Sequence, residues 1–356
     1  MDNSASGLID KRVRILSLNG GGVRGLYTIN VLAEIERIIA ANTGGDNANV
    51  GDYFDLVTGT SIGGILALGL AAGKSARDLE SIFHEKAPII FPELRGWFIQ
   101  WRYMLKGSVG PLYKSAPLEN AVKDMVGPST TFNDLSRRIV IPAVNLSTGK
   151  PQFFKTPHNP KFNRDGKLKL VDAAMATSAA PVYFKPHYCE DLKAYFADGG
   201  LVANNPSYIG MLEVFRDMRS DFPNSDYSDV HILNIGTLGE EYTISPKALL
   251  SRNSGYLGLW GGGKRLVLAT MTANQILHRN MLERDLYLHD AKDNYLYIDD
   301  MIPNEAASDI TLDNATESTL RNLSGRGRQK ATEEFTKNMS LRAFFDKKAL
   351  PFKDCK

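Results

Sequence analysis

The apolar run Val13-Arg14-Ile15-Leu16-Ser17-Leu18 stops at Asn19-Gly20-Gly21-Gly22, and a helical pattern takes over from Tyr27. Ile29, Leu32, Ile35, Ile38 and Ile39 fall on one side of a helix predicted over Tyr27–Ala40. A strand, a glycine loop and a helix in that order restrict the chain to folds in which the next strand lies parallel to the first. The pattern recurs. Asp55–Thr58 is a short buried strand that runs through Gly59-Thr60-Ser61 into an apolar helix from Ile62. Ser75–Lys86 is an amphipathic helix, Arg138–Asn145 and Gln152–Phe154 are strands, and Val171–Ala180 is a helix stopped by Pro181. Ala194–Asp198 is a strand that ends at Gly199-Gly200, and His231–Gly236 is the last clear strand. Such alternation predicts an α/β, three-layer fold: a mostly parallel central sheet with helices on both faces.

Beyond about residue 245 the pattern is mainly helical, with a long helix over Arg265–Leu288 and a break at Ser324-Gly325-Arg326-Gly327-Arg328 before a final helix. The expected organisation is a catalytic core over 1–240 and a mainly helical C-terminal extension over 241–356, packed on the core and available for regulation.

With 42 basic and 40 acidic side chains the net charge is +2. That balance argues against a nucleic-acid coat, so no DNA or RNA partner is expected. The two cysteines, Cys189 and Cys355, form no CxxC pair, which argues against a zinc site or a disulfide framework and suits a reducing cytoplasm. The first seven residues contain no apolar h-region. The longest apolar run, Ile62–Gly73, is too short to span a bilayer. Action on a membrane would therefore come from the water side.

Three features carry chemistry. In Gly59-Thr60-Ser61-Ile62-Gly63, a serine on a tight strand-to-helix turn projects its hydroxyl above the sheet edge, and glycine on each side lets neighbouring backbone pass close. The competing account is a serine-capped helix start. In Gly20-Gly21-Gly22-Val23-Arg24-Gly25, backbone N–H groups converge on one point and would hold either a phosphate or the oxyanion of a tetrahedral intermediate. The spacing satisfies neither the P-loop nor the dinucleotide fingerprint. Arg24 would add positive charge beside the loop. In Asp198-Gly199-Gly200, an aspartate at a strand end would face the same cleft as Ser61, although Asp-Gly is also an ordinary turn signal.

A serine nucleophile needs a base. The six histidines are His84, His158, His187, His231, His278 and His289, and the order Ser, Asp, His admits the last three. None follows a final strand in a loop of small residues. The alternative is a dyad in which Asp198 itself takes the serine proton, held in a site of restricted solvation.

Taken in order, Leu18-Asn19-Gly20-Gly21-Gly22-Val23-Arg24-Gly25, Gly59-Thr60-Ser61-Ile62-Gly63-Gly64, Ala176-Thr177-Ser178-Ala179-Ala180-Pro181-Val182-Tyr183-Phe184 and Asp198-Gly199-Gly200-Leu201-Val202-Ala203-Asn204-Asn205-Pro206 resemble the patatin-like phospholipases over roughly residues 13–240. The resemblance implies a patatin-like fold, Ser61 as nucleophile, Asp198 as general base and an oxyanion hole at Gly20, Gly21 and Gly22 supported by Arg24. Gly59, Gly63, Gly199 and Gly200 are the motif glycines. It implies no metal and no cofactor. Asn19 departs from the aspartate common in the family and leaves loop anchoring open. The implied substrate is a phospholipid membrane surface, with a thioester, a neutral glyceride or idle lipid binding as the competing functions.

The aromatic stretch Phe91–Leu105, with Trp97, Phe98, Trp101 and Tyr103 interleaved with Arg95 and Arg102 and followed by Lys106, is read either as an interfacial or lid segment or as a core helix. A core with this extension also resembles bacterial antiphage effectors switched on by cyclic nucleotides. That resemblance implies a cyclic dinucleotide activator, met by basic groups such as Arg252, Lys264 and Arg265. A homo-oligomer is left open.

Overall fold

A computed structural model describes residues 12–45, 48–93, 110–238, 244, 249–250, 255–300 and 311–352. The aromatic stretch from Trp97 to Lys106, Arg252 and Cys355 lie outside the described residues. No described helix is long and apolar enough to cross a membrane.

The first strand, β1 (Val13–Leu18), is buried at every residue. It lies between β2 (Leu56–Gly59) and β7 (Val230–Ile235), parallel to both, with Leu18 opposite Gly59 on one side and Ile235 on the other. Because side chains alternate across a strand, Leu16 and Leu18 enter one apolar core while Val13 and Ile15 enter a second on the opposite face. That is the three-layer α/β arrangement.

Among the described residues the sheet has eight strands in the order β5-β6-β3-β2-β1-β7-β8, with β4 paired to β3. It is mixed: β3 (Arg138–Asn145) runs parallel to β2, whereas β4 (Lys150–Lys155) and β6 (Ala194–Asp198) run antiparallel to β3. β5 (His187–Cys189) closes one edge as a hairpin with β6. The other edge differs from expectation. Tyr295–Ile298 forms β8, parallel to β7, so a strand lies within the region read as mainly helical. Its short Tyr-Leu-Tyr-Ile run is too brief for periodicity to separate from a helical turn.

The helices that matter for the site are α1 (Gly25–Thr43), α2 (Ile62–Ala71), α3 (Ala76–Ile90), α4 (Ser115–Val126), α5 (Leu170–Thr177), the single turn α6 (Gly200–Ala203), α7 (Ser207–Asp217), α8 (Lys264–Leu288), α9 (Glu317–Lys337) and the short α10 (Met339–Ala343). α2 is buried at every position. The Ser75 side chain caps α3 by accepting from the Asp78 N–H at 3.0 Å. α3 also runs past its expected end, carrying Pro88 in its last turn.

The break expected at Ser324–Arg328 does not occur, and α9 passes through it unbroken. Gly325 and Gly327 cost a helix about 1 kcal/mol each relative to alanine. The burial of Leu320 and Leu323 offsets that, at about 1.5–3 kcal/mol for each side chain. Gly327 is also the point of closest approach to α1: a Cβ there would lie 2.6 Å from the Tyr27 carbonyl oxygen. Beside it Asn30 donates to Ser324 Oγ at 3.2 Å and accepts from Arg328 Nε at 3.1 Å. The glycines and serine that look like a breaker are the surface that lets two helices touch.

Candidate active site

β1, β2 and β6 all end at one place, and each ends in a glycine-rich turn. The turn after β2 is tightest. Ser61 sits at φ 54°, ψ −126°, a backbone conformation that a non-glycine residue holds only when its surroundings impose it. They do so through close packing. A Cβ on Gly59 would overlap the Gly63 carbonyl, and one on Gly63 would overlap the Leu18 carbonyl. The Ser61 N–H donates to Thr177 Oγ1 at 3.0 Å, and Thr177 donates to the Pro142 carbonyl at 2.7 Å.

With its backbone fixed, Ser61 Oγ donates to Asp198 Oδ2 at 2.7 Å. Ser61 is 7% exposed and Asp198 1%. The second carboxylate oxygen, Oδ1, accepts from the Gly200 N–H at 2.6 Å. The Asp198 N–H donates to the Ala179 carbonyl and the Gly199 N–H to the Thr177 carbonyl, both at 3.0 Å. The stretch Thr177-Ser178-Ala179 at the end of α5 therefore holds both ends of the serine–aspartate pair. Burial pushes the Asp198 carboxyl up to about 7, against the Gly200 and Ser61 hydrogen bonds, which lower it.

The glycine loop lies beside this pair. The Gly20 N–H is taken by the Asn204 carbonyl at 3.0 Å, and the Gly20 carbonyl accepts from Thr237 Oγ1 at 3.0 Å. Among the described residues, no backbone carbonyl accepts from the N–H of Gly21 or Gly22. Gly22 has φ +58°, and a Cβ there would overlap the Leu312 carbonyl. That carbonyl accepts the Val23 N–H at 2.8 Å, so the loop is braced from the C-terminal region. Arg24 turns back on the loop, donating to the Gly21 and Leu238 carbonyls at 3.4 Å each. Asn19 accepts from Asn234 Nδ2 at 2.9 Å, so a neutral side chain anchors the loop to β7.

Among the described residues no histidine hydrogen-bonds Ser61 or Asp198. His158 bonds Thr156 and Glu213, His187 bonds Asp172, and His289 stacks on Tyr227. His231 lies near the start of β7, at the opposite end of the strand from the site. His278 lies on α8, and burial lowers its pKa.

Several residues at the site had little or no signal in the sequence. Asn204 donates to Gln275 at 2.6 Å and to the Gly20 carbonyl at 3.3 Å, and Asn274 donates to the Gly200 carbonyl at 2.6 Å. Thr177 and Asn204 lie within recognisable blocks. Gln275, Met271 and Leu312 come from separate elements with no local motif. Ser61 and Asp198 open onto a narrow apolar cavity of about 40 Å³, whose walls include Ile65, Phe83, Phe91, Met271 and Leu312. Phe91, the start of the aromatic stretch, is buried there against Tyr113 and Phe184. Lys264 pairs with Asp313 at 2.8 Å, and Arg265 Nη1 donates to the Leu259 carbonyl.

A family model described as patatin-like phospholipase matches residues 16–209, the span holding the glycine loop, Ser61 and Asp198. The chain belongs to the patatin-like phospholipase family. As a patatin-like phospholipase it is an enzyme, a hydrolase of carboxylic esters. It is 64% identical over 349 residues to a cGAMP-activated phospholipase of Escherichia coli strain TW11681, covering 97% of this chain and 96% of that one. It is 63% identical to a protein of the same description from Vibrio cholerae serotype O1, covering 97% and 98%. A third, from Pseudomonas aeruginosa, is 37% identical and covers 89% of this chain and 87% of that one.

Proposed function

We propose that this patatin-like protein is a cGAMP-activated phospholipase that cleaves acyl esters of membrane phospholipids in antiviral defence, with Ser61 and Asp198 as its catalytic dyad. The observation that carries the chemistry is the 2.7 Å hydrogen bond from Ser61 Oγ to a buried carboxylate. The near-full-length identity to cGAMP-activated relatives supports the activator.

Asp198 takes the Ser61 proton as Oγ attacks the ester carbonyl carbon. The carbonyl π electrons move to oxygen, and the N–H groups of Gly21 and Gly22 receive that charge. Losing one such donor typically costs about 3–4 kcal/mol of transition-state stabilisation. The tetrahedral intermediate collapses, the lysolipid alkoxide leaves with the proton from Asp198, and an acyl-Ser61 ester remains. Water then gives its proton to Asp198, attacks the acyl carbon and releases the fatty acid, and the proton returns to Ser61. A base is most effective when its pKa lies near the working pH, and burial brings Asp198 to about 7.

Fluorophosphonate labelling of wild type, Ser61→Ala and Asp198→Asn tests the dyad. Label in wild type alone is the expected result. Label retained by Ser61→Ala would remove Ser61 as nucleophile. Release of fatty acid from phospholipid vesicles with and without cGAMP tests the substrate and the activator, and a rate indifferent to cGAMP counts against activation.

A further inference from the structure

Behind one wall of the catalytic cavity lies a larger one of about 860 Å³. Small-molecule sites commonly enclose roughly 300–1,000 Å³. Two of its lining residues are Tyr188 on β5 and Tyr195 on β6, which face each other in register. Their ring centroids are 4.8 Å apart at 46°, yet they remain 42% and 52% exposed. Lys114 and Lys185 also line it, and neither makes an ion pair among the described residues. The acidic lining residue, Glu119, is held by Lys123 at 2.6 Å. Exposed aromatic faces beside unpaired ammonium groups suit a ligand with flat bases and phosphates.

We propose that this cavity is the cyclic dinucleotide activator site, an inference that rests on the cGAMP activation proposed above. Tyr188 and Tyr195 stack against a base, and Lys114 and Lys185 meet the phosphodiesters. The cavity is joined to the catalytic one by shared walls. Leu118 and Phe184 line both. Ala179 lines the larger cavity, and its carbonyl holds the Asp198 N–H. Tyr195 and Asp198 belong to the same five-residue strand. A ligand that orders the β5–β6 hairpin therefore acts on the general base through one short strand, and on the narrow acyl cavity through the Leu118–Phe184 wall. Activation requires that the ligand bind the wider arrangement of that wall more tightly than the narrow one.

Calorimetric titration of cGAMP into the full chain, with vesicle hydrolysis measured in parallel, tests this. Two variants are compared with wild type: Tyr188→Ala/Tyr195→Ala, and Lys114→Glu/Lys185→Glu. Lost stacking and reversed charge are each expected to weaken cGAMP binding about 10-fold or more, with a matching rise in the concentration that activates. Thermal unfolding checks that each variant is folded. The exposed lysine pair decides alone if the tyrosine pair unfolds. Folded variants that bind and respond to cGAMP as wild type does would overturn the site. A wild-type chain that neither binds nor responds to cGAMP would instead remove the activation on which the site depends.

Discussion

Thr177 stands between Ser61 and β3: its hydroxyl accepts the Ser61 N–H at 3.0 Å and donates to the Pro142 carbonyl at 2.7 Å. An ordinary hydroxyl thus supports the positive-φ turn that presents the serine. Thr177→Val keeps the volume and leaves two buried backbone groups unpaired, at a cost of about 1–3 kcal/mol for each. The expected result is a lower denaturation midpoint and a fall in kcat of about 10-fold or more, with KM little changed. Thr177→Ser keeps the hydroxyl and is expected to recover most of both. A valine variant that behaves as wild type, with the loss in the serine variant instead, would show that the methyl contact, not the hydrogen bonds, holds the turn.

The pH profile follows from Asp198. As the proposed general base the group must be ionised to accept the Ser61 proton, and burial pushes its pKa up to about 7. On phospholipid, kcat/KM should rise about tenfold per pH unit below that value and level off above it. A flat profile between pH 5 and 8 would show that another group controls the proton.

Stability should respond in the opposite sense. The folded chain binds the Asp198 proton more tightly than the unfolded chain, whose carboxyl titrates near 4. Stability from this group is therefore lost as pH rises from about 4 to about 7, where the buried carboxylate ionises. Asp198→Asn removes that charge, and its amide can still accept from Gly200 and meet Ser61. The variant should melt several degrees higher than wild type at pH 8, differ little at pH 4.5, and be inactive. A lower melting temperature at pH 8 would show that the hydrogen bonds to the carboxylate outweigh the cost of burying its charge.

Gly327→Ala tests the α1–α9 contact. The added Cβ would lie 2.6 Å from the Tyr27 carbonyl oxygen and 2.8 Å from Asn30 Cβ. Overpacking of this kind costs about 1–3 kcal/mol, more than the ~1 kcal/mol that alanine recovers in helix propensity. Gly325→Ala has open space around it and should stabilise. Denaturant titration of both variants distinguishes contact from propensity.

The local grammar of the chain is legible in its sequence. Each strand that ends in glycine at the site, β1, β2 and β6, shows as an apolar run with a punctuated end. Those ends could be read because strand periodicity and the glycine requirement are properties of a few adjacent residues. The ordered blocks added the family and the pairing of Ser61 with Asp198. Ser324–Arg328 reads as a helix break but is the α1–α9 contact, because small residues look alike whether they admit solvent or a second helix. Leu312, Met271 and Gln275 left no signal, since each reaches the site from a separate element.

By itself, then, the sequence determined the alternation of strands and helices, the serine on its turn and the glycine loop before α1. Tertiary structure decided which groups meet. Ser61 and Asp198 are separated by 137 positions, and they meet at 2.7 Å only because β2 and the antiparallel β6 flank β3 and both end beside it. It also directed His158 and His187 to other carboxylates and buried Asp198, which pushes its carboxyl up to about 7. The reason is physical: conformation is set by neighbours along the chain, whereas a proton's affinity depends on the solvent and charge that surround it in space.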